Sequence, residues 1–474
     1  MKDKLISNFN FYVFFLWIIT MFYSCENRQG AVTAIAQDTI PAINKSLAAK
    51  PPMGWNSWNC LGWDANENEI KAAADYMNAN LKQLGYEYIV IDQLWYGDSS
   101  ASNFEDFVHE RIPVKPTYHL DEFGRLLPDT TKYPSAKGTN SFKPLADYIH
   151  SLGLKFGLHL LRGIPWEAAD KNLSIKGTNY KAASIAQPTK GCDWYDGFYG
   201  VDMTKPWAQE YYNSVFKLFA EWGVDFVKAD DMVNTAEIEG MSKAARLSGR
   251  DILLSVVPSD DIPISFLKQN VHMARTGYDF WDVWQMLKQG FPVAAKVAKD
   301  AVPGFWPDLD MLPIGKIGKK ISYKGPNERI ANFNVPELHT LFSLWYISRA
   351  PLIIGGYLPE TDSITLKLLK NEEALTVNRI GKNPRQVKFK NAIIIWMADI
   401  ENSDDKFLAF FNQWESKEPV NIKVAFHQLG LDSTASYSVR DLWAKKELGK
   451  FKNIFSSPIE AHGAGLYRVQ MQKN

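Results

Sequence analysis

Five apolar runs in this 474-residue chain end in charged or polar side chains, and those ends are where chemistry could be done. They close as Ile-Val-Ile-Asp92-Gln93, Gly-Leu-His159-Leu-Leu-Arg162, Phe-Val-Lys228-Ala-Asp230-Asp231, Arg275-Thr-Gly-Tyr278-Asp279 and Trp306-Pro-Asp308-Leu-Asp310. A dry strand carries polar groups only where something uses them, because an unpaired buried polar group is costly. Lys228 and Asp230 are two apart, so on an extended strand they share one side. An ammonium beside a carboxylate favours its ionised form, which suits a nucleophile; a structural Lys–Asp ion pair is the plainer use of the same spacing. Asp279 follows Arg275 by four residues, among Tyr278, Phe280 and Trp281. Apolar surroundings would raise its pKa toward that of a general acid, and a helix N-terminal role is the structural alternative. Asp92, Asp308 and Asp310 could instead gather magnesium or calcium, as in a metal-dependent lyase or isomerase.

Such ends meet only if the runs are strands of one sheet. The expected strands are 52–58, 86–92, 154–161, 224–230, 252–257, 273–277, 304–310 and 351–355, alternating with helical patterns at 67–84, 143–152, 207–222, 235–248, 281–298 and 335–348. Eight strand–helix units predict an α/β chain with a (β/α)8 TIM barrel over residues 51–385. Its site lies on the C-terminal face, where the long segments 96–139 and 162–206 would shape a pocket. Beyond residue 385 short runs at 392–397, 407–412, 421–425, 435–441 and 465–469 predict a small C-terminal antiparallel β-sandwich over 386–474. Trp443 and His462 within it read as structural.

Bulk properties narrow the partner. With 53 basic and 53 acidic residues the formal charge is zero, so no global field draws nucleic acid. The 16 tryptophans include candidates for stacking on sugar rings. Residues 1–25 read as a signal peptide: Lys2 and Lys4 precede an apolar run from Phe11 to Phe22, and Ser24-Cys25 resembles a bacterial lipobox. Cys25 is the expected lipidation site and residues 26–50 a linker. Membrane contact is then expected only through that anchor, with the protein exported to the periplasm or outer membrane of a Gram-negative bacterium. Cys60 and Cys192 remain, and their pairing is open.

Taken in order, seven segments resemble glycoside hydrolase family 27, the α-galactosidase and α-N-acetylgalactosaminidase type. They are Pro52 to Asn59 (PMGWNSWN), Gly85 to Asp92, Gly124 to Pro128 with Tyr133-Pro134, Phe156 to His159, Val227 to Asp230, Arg275 to Asp279 and Trp306 to Leu312. The resemblance implies a retaining mechanism on an oligosaccharide or polysaccharide, with Asp230 as nucleophile, Asp279 as acid/base and no cofactor or metal. It implies Trp58, Asp92, Lys228, Arg275 and Asp310 around the sugar, with Gln93, His159 and Arg162 at further substrate-facing positions. Three departures bear on the sugar. Gln93 stands where the α-galactosidases carry a second aspartate for the 4- and 6-hydroxyls, His159 replaces a tyrosine, and Ser255-Val-Val257-Pro258 lies where the 2-position is read. The expected substrate is an α-galactoside-like sugar, or by the same mechanism an α-glucoside, an α-N-acetylgalactosaminide or a β-L-arabinopyranoside; an inactive carbohydrate-binding lipoprotein is the alternative from another class.

Overall fold

The computed structural model describes residues 40–97, 116–320 and 328–472. The expected signal segment with Cys25, and residues 26–39 of the expected linker, lie outside them. Eight parallel strands, β1 (Met53–Asn56), β2 (Tyr88–Ile91), β3 (Lys155–Leu161), β4 (Phe226–Met232), β5 (Leu253–Pro258), β6 (Met273–Arg275), β7 (Trp306–Asp308) and β8 (Leu352–Ile354), hydrogen-bond in the order β7-β6-β5-β4-β3-β2-β1-β8. A parallel bridge from Leu312 to Ile354 joins the two ends of that order into a barrel. Helices α1 (Glu67–Asn80), α2 (Lys143–Ser151), α3 (Pro206–Trp222), α4 (Thr235–Leu247), α5 (Ile264–Asn270), α6 (Trp284–Val297) and α7 (Val335–Ser348) fill the seven connections. Asn66 with Glu69, and Asn334 with Glu337, form capping boxes that satisfy the first amides of α1 and α7.

Two helices of the barrel differ from the sequence pattern. The seven-residue α5 is too short to show helical periodicity. Helix α6 begins at Trp284 rather than 281, because the Asp282 carboxylate is held by Arg329 at 2.9 Å and by the Asn332 amide at 2.9 Å, which keeps the preceding residues out of the helix.

Strand alternation sorts the barrel interior by height. Tyr88, Phe226, Leu253, Met273, Trp306 and Ile353 form one buried apolar cluster. Gly54 and Gly157 make room for it, since a Cβ on Gly54 would lie 2.4 Å from the Tyr88 carbonyl and one on Gly157 2.9 Å from Val90. Two residues further along the same strands, on the same side, stand Lys228, Ser255, Arg275 and Asp308, and then Asp92 and Asp230. An apolar floor therefore carries a polar layer at the C-terminal face. The expected linker is part of this fold at its end. Ala48 belongs to the apolar cluster, and its carbonyl accepts from Trp306 Nε1 at 2.7 Å.

Helices α8 (Ser363–Leu369) and α9 (Glu372–Ile380) lead into β9 (Gly381–Lys390), β10 (Ile393–Ile400), β11 (Lys406–Asn412), β12 (Val420–Ala425), β13 (Ser436–Asp441), β14 (Lys446–Lys452), β15 (Ile454–Ile459) and β16 (Ala464–Met471). A six-stranded antiparallel sheet, β9-β10-β11-β16-β13-β14, packs on the β12-β15 pair. Alternation divides β10 between two cores. Ile395 and Met397 enter the sandwich, while Ile394, Trp396 and Ala398 join the barrel core behind α7. Trp443 and His462 are rivets at this junction: Trp443 Nε1 donates to Ser343 Oγ at 3.0 Å, and His462 stacks on Trp284 and meets Glu337 at 2.8 Å.

Candidate active site

The carboxylate of Asp230 sits at the end of β4. Its Oδ1 accepts the Asp231 amide at 2.7 Å, and its Oδ2 lies 3.3 Å from His159 Nε2 on β3. The first contact exists because Asp231 adopts a left-handed backbone, φ 56°, that turns its N–H back onto the preceding side chain. Burial disfavours the Asp230 charge, but the hydrogen bond from His159 and the charges of Lys228 and Arg275 outweigh it and hold the carboxyl well below the usual range. Asp230 is therefore held ionised.

Lys228, two residues earlier, donates to Asp92 Oδ2 at 2.8 Å rather than to Asp230. The same oxygen accepts Asn56 Nδ2 at 2.7 Å, and Asn56 in turn accepts the Trp58 amide at 2.8 Å. One chain of bonds thus ties β4, β2, β1 and the backbone of Trp58, whose indole is partly buried against the barrel floor. Burial opposes the charge on Asp92, and Lys228 and His159 overcome it, so Asp92 too is lowered. Lys228 is shifted upward, burial notwithstanding, because Asp92 and Asp230 both face it. Gln93 is buried, and its Nε2 finds no partner among the described residues. It is a spare donor beside Asp92.

Across the barrel mouth Arg275 donates to Asp279 at 2.6 Å and lies 3.9 Å from Asp310. Burial works against its charge, while Asp310, Asp279 and Asp230 together raise it. That guanidinium therefore links the two catalytic candidates in one field. Asp279 is not in an apolar niche. Its side chain is 51% exposed, Tyr278 beside it is 85% exposed, and Phe280 and Trp281 are buried away from it. The expected desolvation is absent, because Asp310 draws the Phe280 amide inward at 2.7 Å and leaves Asp279 on the outer side of the loop. Nor does it cap a helix, since α6 starts five residues later.

Asp310 itself has φ 83°, fixed by its amide donating to Asp308 at 3.0 Å. Burial and the nearby Asp310 push Asp308 up to about 7. Asp92, Asp308 and Asp310 do not assemble as a metal site: among the described residues no group of three or more His, Cys, Asp or Glu side chains is placed to hold an ion.

Arg162 departs from its expected place beside the sugar. Its guanidinium is 3% exposed and binds protein on every side: the Asp231 carbonyl at 2.7 Å and carboxylate at 2.9 Å, the carbonyls of Lys190 at 3.0 Å and Gly191 at 2.9 Å, and Glu237 at 3.3 Å. Its fork is saturated by protein acceptors, so it fastens Asp231, the neighbour of Asp230, to the long loop after β3 and has no arm left over for a ligand. Asn56, Asp231 and Glu237 are the participants that sequence reasoning missed. Asn56 was reachable, since it lies two residues before Trp58 at a strand end, and Asp231 stood among the polar strand ends without a role; Glu237 carries no local signal. Cys60 and Cys192 are both buried and unpaired.

Comparison with known proteins identifies the family and the fold. The family described as Alpha galactosidase A matches residues 195–380, and the Alpha galactosidase C-terminal beta sandwich domain matches residues 390–469. Alpha-galactosidase 2 of Arabidopsis thaliana is 28% identical over 91% of this chain and 92% of its own length, and the Coffea arabica alpha-galactosidase 29% over 91% and 96%. The crystal structure of a GH27 β-L-arabinopyranosidase from Geobacillus stearothermophilus superposes with a TM-score of 0.84 at 40% identity, covering 90% of this chain and 97% of that one. With a barrel whose face gathers Asp92, Asp230, Asp279 and Asp310, followed by the matching sandwich, the chain belongs to glycoside hydrolase family 27 and is an O-glycosyl hydrolase.

Proposed function

We propose that the chain is a retaining, exo-acting glycosidase in which Asp230 attacks the anomeric carbon and Asp279 carries the proton. The observation behind this is the Asp230 environment: an ionised carboxylate fixed by the Asp231 amide and His159 and flanked by Lys228. In the first step an Asp230 oxygen bonds to the anomeric carbon. The glycosidic C–O bond breaks, and its electron pair takes the proton of Asp279. In the second step water attacks that carbon, Asp279 accepts its proton, and Asp230 leaves as a carboxylate. The half-exposed side chain of Asp279 has the solvent access that this second step needs. Lys228, Asp92, Asn56 and Trp58 hold the sugar side of the pocket, and Arg275 and Asp310 hold the loop that bears Asp279.

The glycone we propose is a galacto-configured pyranose, and one observation favours its smaller form, β-L-arabinopyranose, which keeps that ring configuration without the hydroxymethyl group. At Gln93 a neutral amide with an unpaired donor replaces the carboxylate that the α-galactosidases use for the 4- and 6-hydroxyls, and a carboxylate-free site loses less when the 6-hydroxyl is missing. Identity to the β-L-arabinopyranosidase, 40%, also exceeds the 28–29% to plant α-galactosidases. A panel of p-nitrophenyl glycosides of α-galactose, α-N-acetylgalactosamine, α-glucose and β-L-arabinopyranose tests it; highest kcat/KM on the α-glucoside would overturn it. For the mechanism, Asp230→Ala should abolish turnover, with azide restoring activity as a glycosyl azide of inverted configuration; unchanged turnover removes the assignment. We also infer export and lipid anchoring at Cys25 from the sequence of the first 25 residues; release of a Cys25→Ala variant into the soluble fraction supports it, and identical fractionation refutes it.

A further inference from the structure

The loop after β3 is longer than a barrel connection needs, and its tip is built with care. It leaves the barrel face at Arg162, forms a small sheet from Ile164–Pro165, Ala186–Gln187 and Phe198–Val201, and returns to α3. Between those strands Cys192 and Tyr195 pair as an isolated bridge that closes a four-residue turn. Both ends of the turn are anchored inward. Tyr195 is buried, with its hydroxyl 2.7 Å from that of Tyr118. Cys192 is buried against the Asp231 carboxyl, immediately after the nucleophile. The carbonyls just before it, Lys190 and Gly191, accept the same Arg162 guanidinium that grips Asp231. The packing around the turn is tight enough that a Cβ on Gly191 would lie 2.4 Å from the Phe198 carbonyl, and one on Gly200 2.3 Å from that of Lys190.

Trp194 stands on this rigid turn, 53% exposed. Two residues span at most about 7 Å, so its Cα lies within that distance of the Cα of Cys192, whose side chain meets the Asp231 carboxyl next to Asp230. Tyr278 directly precedes Asp279, the residue whose proton goes to the leaving oxygen, and it is 85% exposed. One exposed aromatic side chain therefore sits on the turn tied to Asp231, and another is joined directly to Asp279. An aromatic ring that is held before binding loses little freedom when a ligand stacks on it.

We propose that Trp194, fixed by the Arg162 clamp, is the platform of the leaving-group subsite, where it stacks on the pyranose ring attached to the cleaved sugar, with Tyr278 as the facing wall. The proposal rests on the catalytic assignment above and adds a specificity-determining residue to it. The enzyme then selects ring-shaped leaving groups.

The test compares Trp194→Ala, Trp194→Phe and the intact enzyme on a matched pair of substrates sharing one glycone, taken as the best substrate of the panel above: the p-nitrophenyl glycoside, whose aryl ring stands in for the second sugar, and the glycosyl fluoride, whose leaving group has no ring. For Trp194→Ala, kcat/KM should fall about tenfold on the p-nitrophenyl glycoside and stay within about twofold on the fluoride, with the loss mainly in KM; Trp194→Phe should recover most of it. Equal losses on both substrates would mean a structural role, and no loss on either would mean no role; both overturn the proposal. A wrong glycone changes which pair is used and leaves the ratio between variants intact, so the two readings fail separately.

Discussion

Replacing Arg162 by methionine keeps an aliphatic stem and removes the cation from a buried charge cluster beside Asp230. Its partners Asp231 and Glu237 have side-chain exposures of 10% and 2%, so neither carboxylate can turn to solvent. Removing one member of a buried charge pair costs roughly 3–5 kcal/mol, mostly because the other charge is left unpaired. Glu237 keeps the Tyr212 hydroxyl at 2.6 Å and Asn234 at 3.1 Å, which places the expected loss near the low end, about 3 kcal/mol. The loss should depend on pH. Burial already outweighs Arg162 and holds the Asp231 carboxyl above its ordinary value. Without the guanidinium it rises further, so the folded variant binds more protons than its unfolded chain, and its stability falls as pH rises. Urea unfolding of both proteins between pH 4 and 8 reads this directly: the gap between them should be widest at high pH and narrow on acidification. A gap below about 1 kcal/mol at pH 7, or one that widens on acidification, refutes the clamp. Because Asp231 also aims its amide at Asp230, kcat should fall in the same variant while KM changes little.

Lys228→Met removes the cation that holds Asp92 and Asp230 ionised, so both carboxyls should climb. The acid limb of kcat/KM then moves to higher pH, with a loss of about 10- to 100-fold at neutral pH; an unmoved limb would exclude Lys228 from the electrostatics of the nucleophile. Asp308, pushed up to about 7 in the fold against about 3.9 in an unfolded chain, costs stability as pH rises through that window. Asp308→Asn keeps an acceptor for the Asp310 amide and removes the titration, so the variant should lose less stability than the intact protein between pH 4 and 7 in urea unfolding; parallel curves would contradict this.

Much of the architecture was legible because it repeats. The period-two alternation of β4, Phe226-Val-Lys228-Ala-Asp230, assigns alternate residues to the barrel interior before any tertiary contact is known, and six of the barrel helices show a stripe or a cap. What was not legible lacked periodicity. Strand β14, Lys446–Lys452, is charged along its length and exposed, and β9 begins directly at the end of α9, so neither stands out as an apolar run. At the site, Asp279 shows the limit of local context. Tyr278, Phe280 and Trp281 suggest an apolar niche, yet the chain buries two of them and leaves Asp279 with water and Arg275. Side-chain neighbours in sequence on a loop point in different directions, so their polarity does not give the dielectric around any one of them.

The strand-end carboxylates, the barrel and its sandwich, and the family they resemble all follow from the sequence by itself, since residue type at a fixed place in a repeating unit determines which face a side chain joins. Partner choice was decided only by the tertiary structure. Lys228 could have paired with Asp230, two residues away, and instead pairs with Asp92 across the sheet; Arg162 could have met the sugar, and instead locks Asp231 to the loop that carries Trp194. A hydrogen bond acts over about 3 Å, and on a closed barrel the residues brought within that range come from strands scores of positions apart.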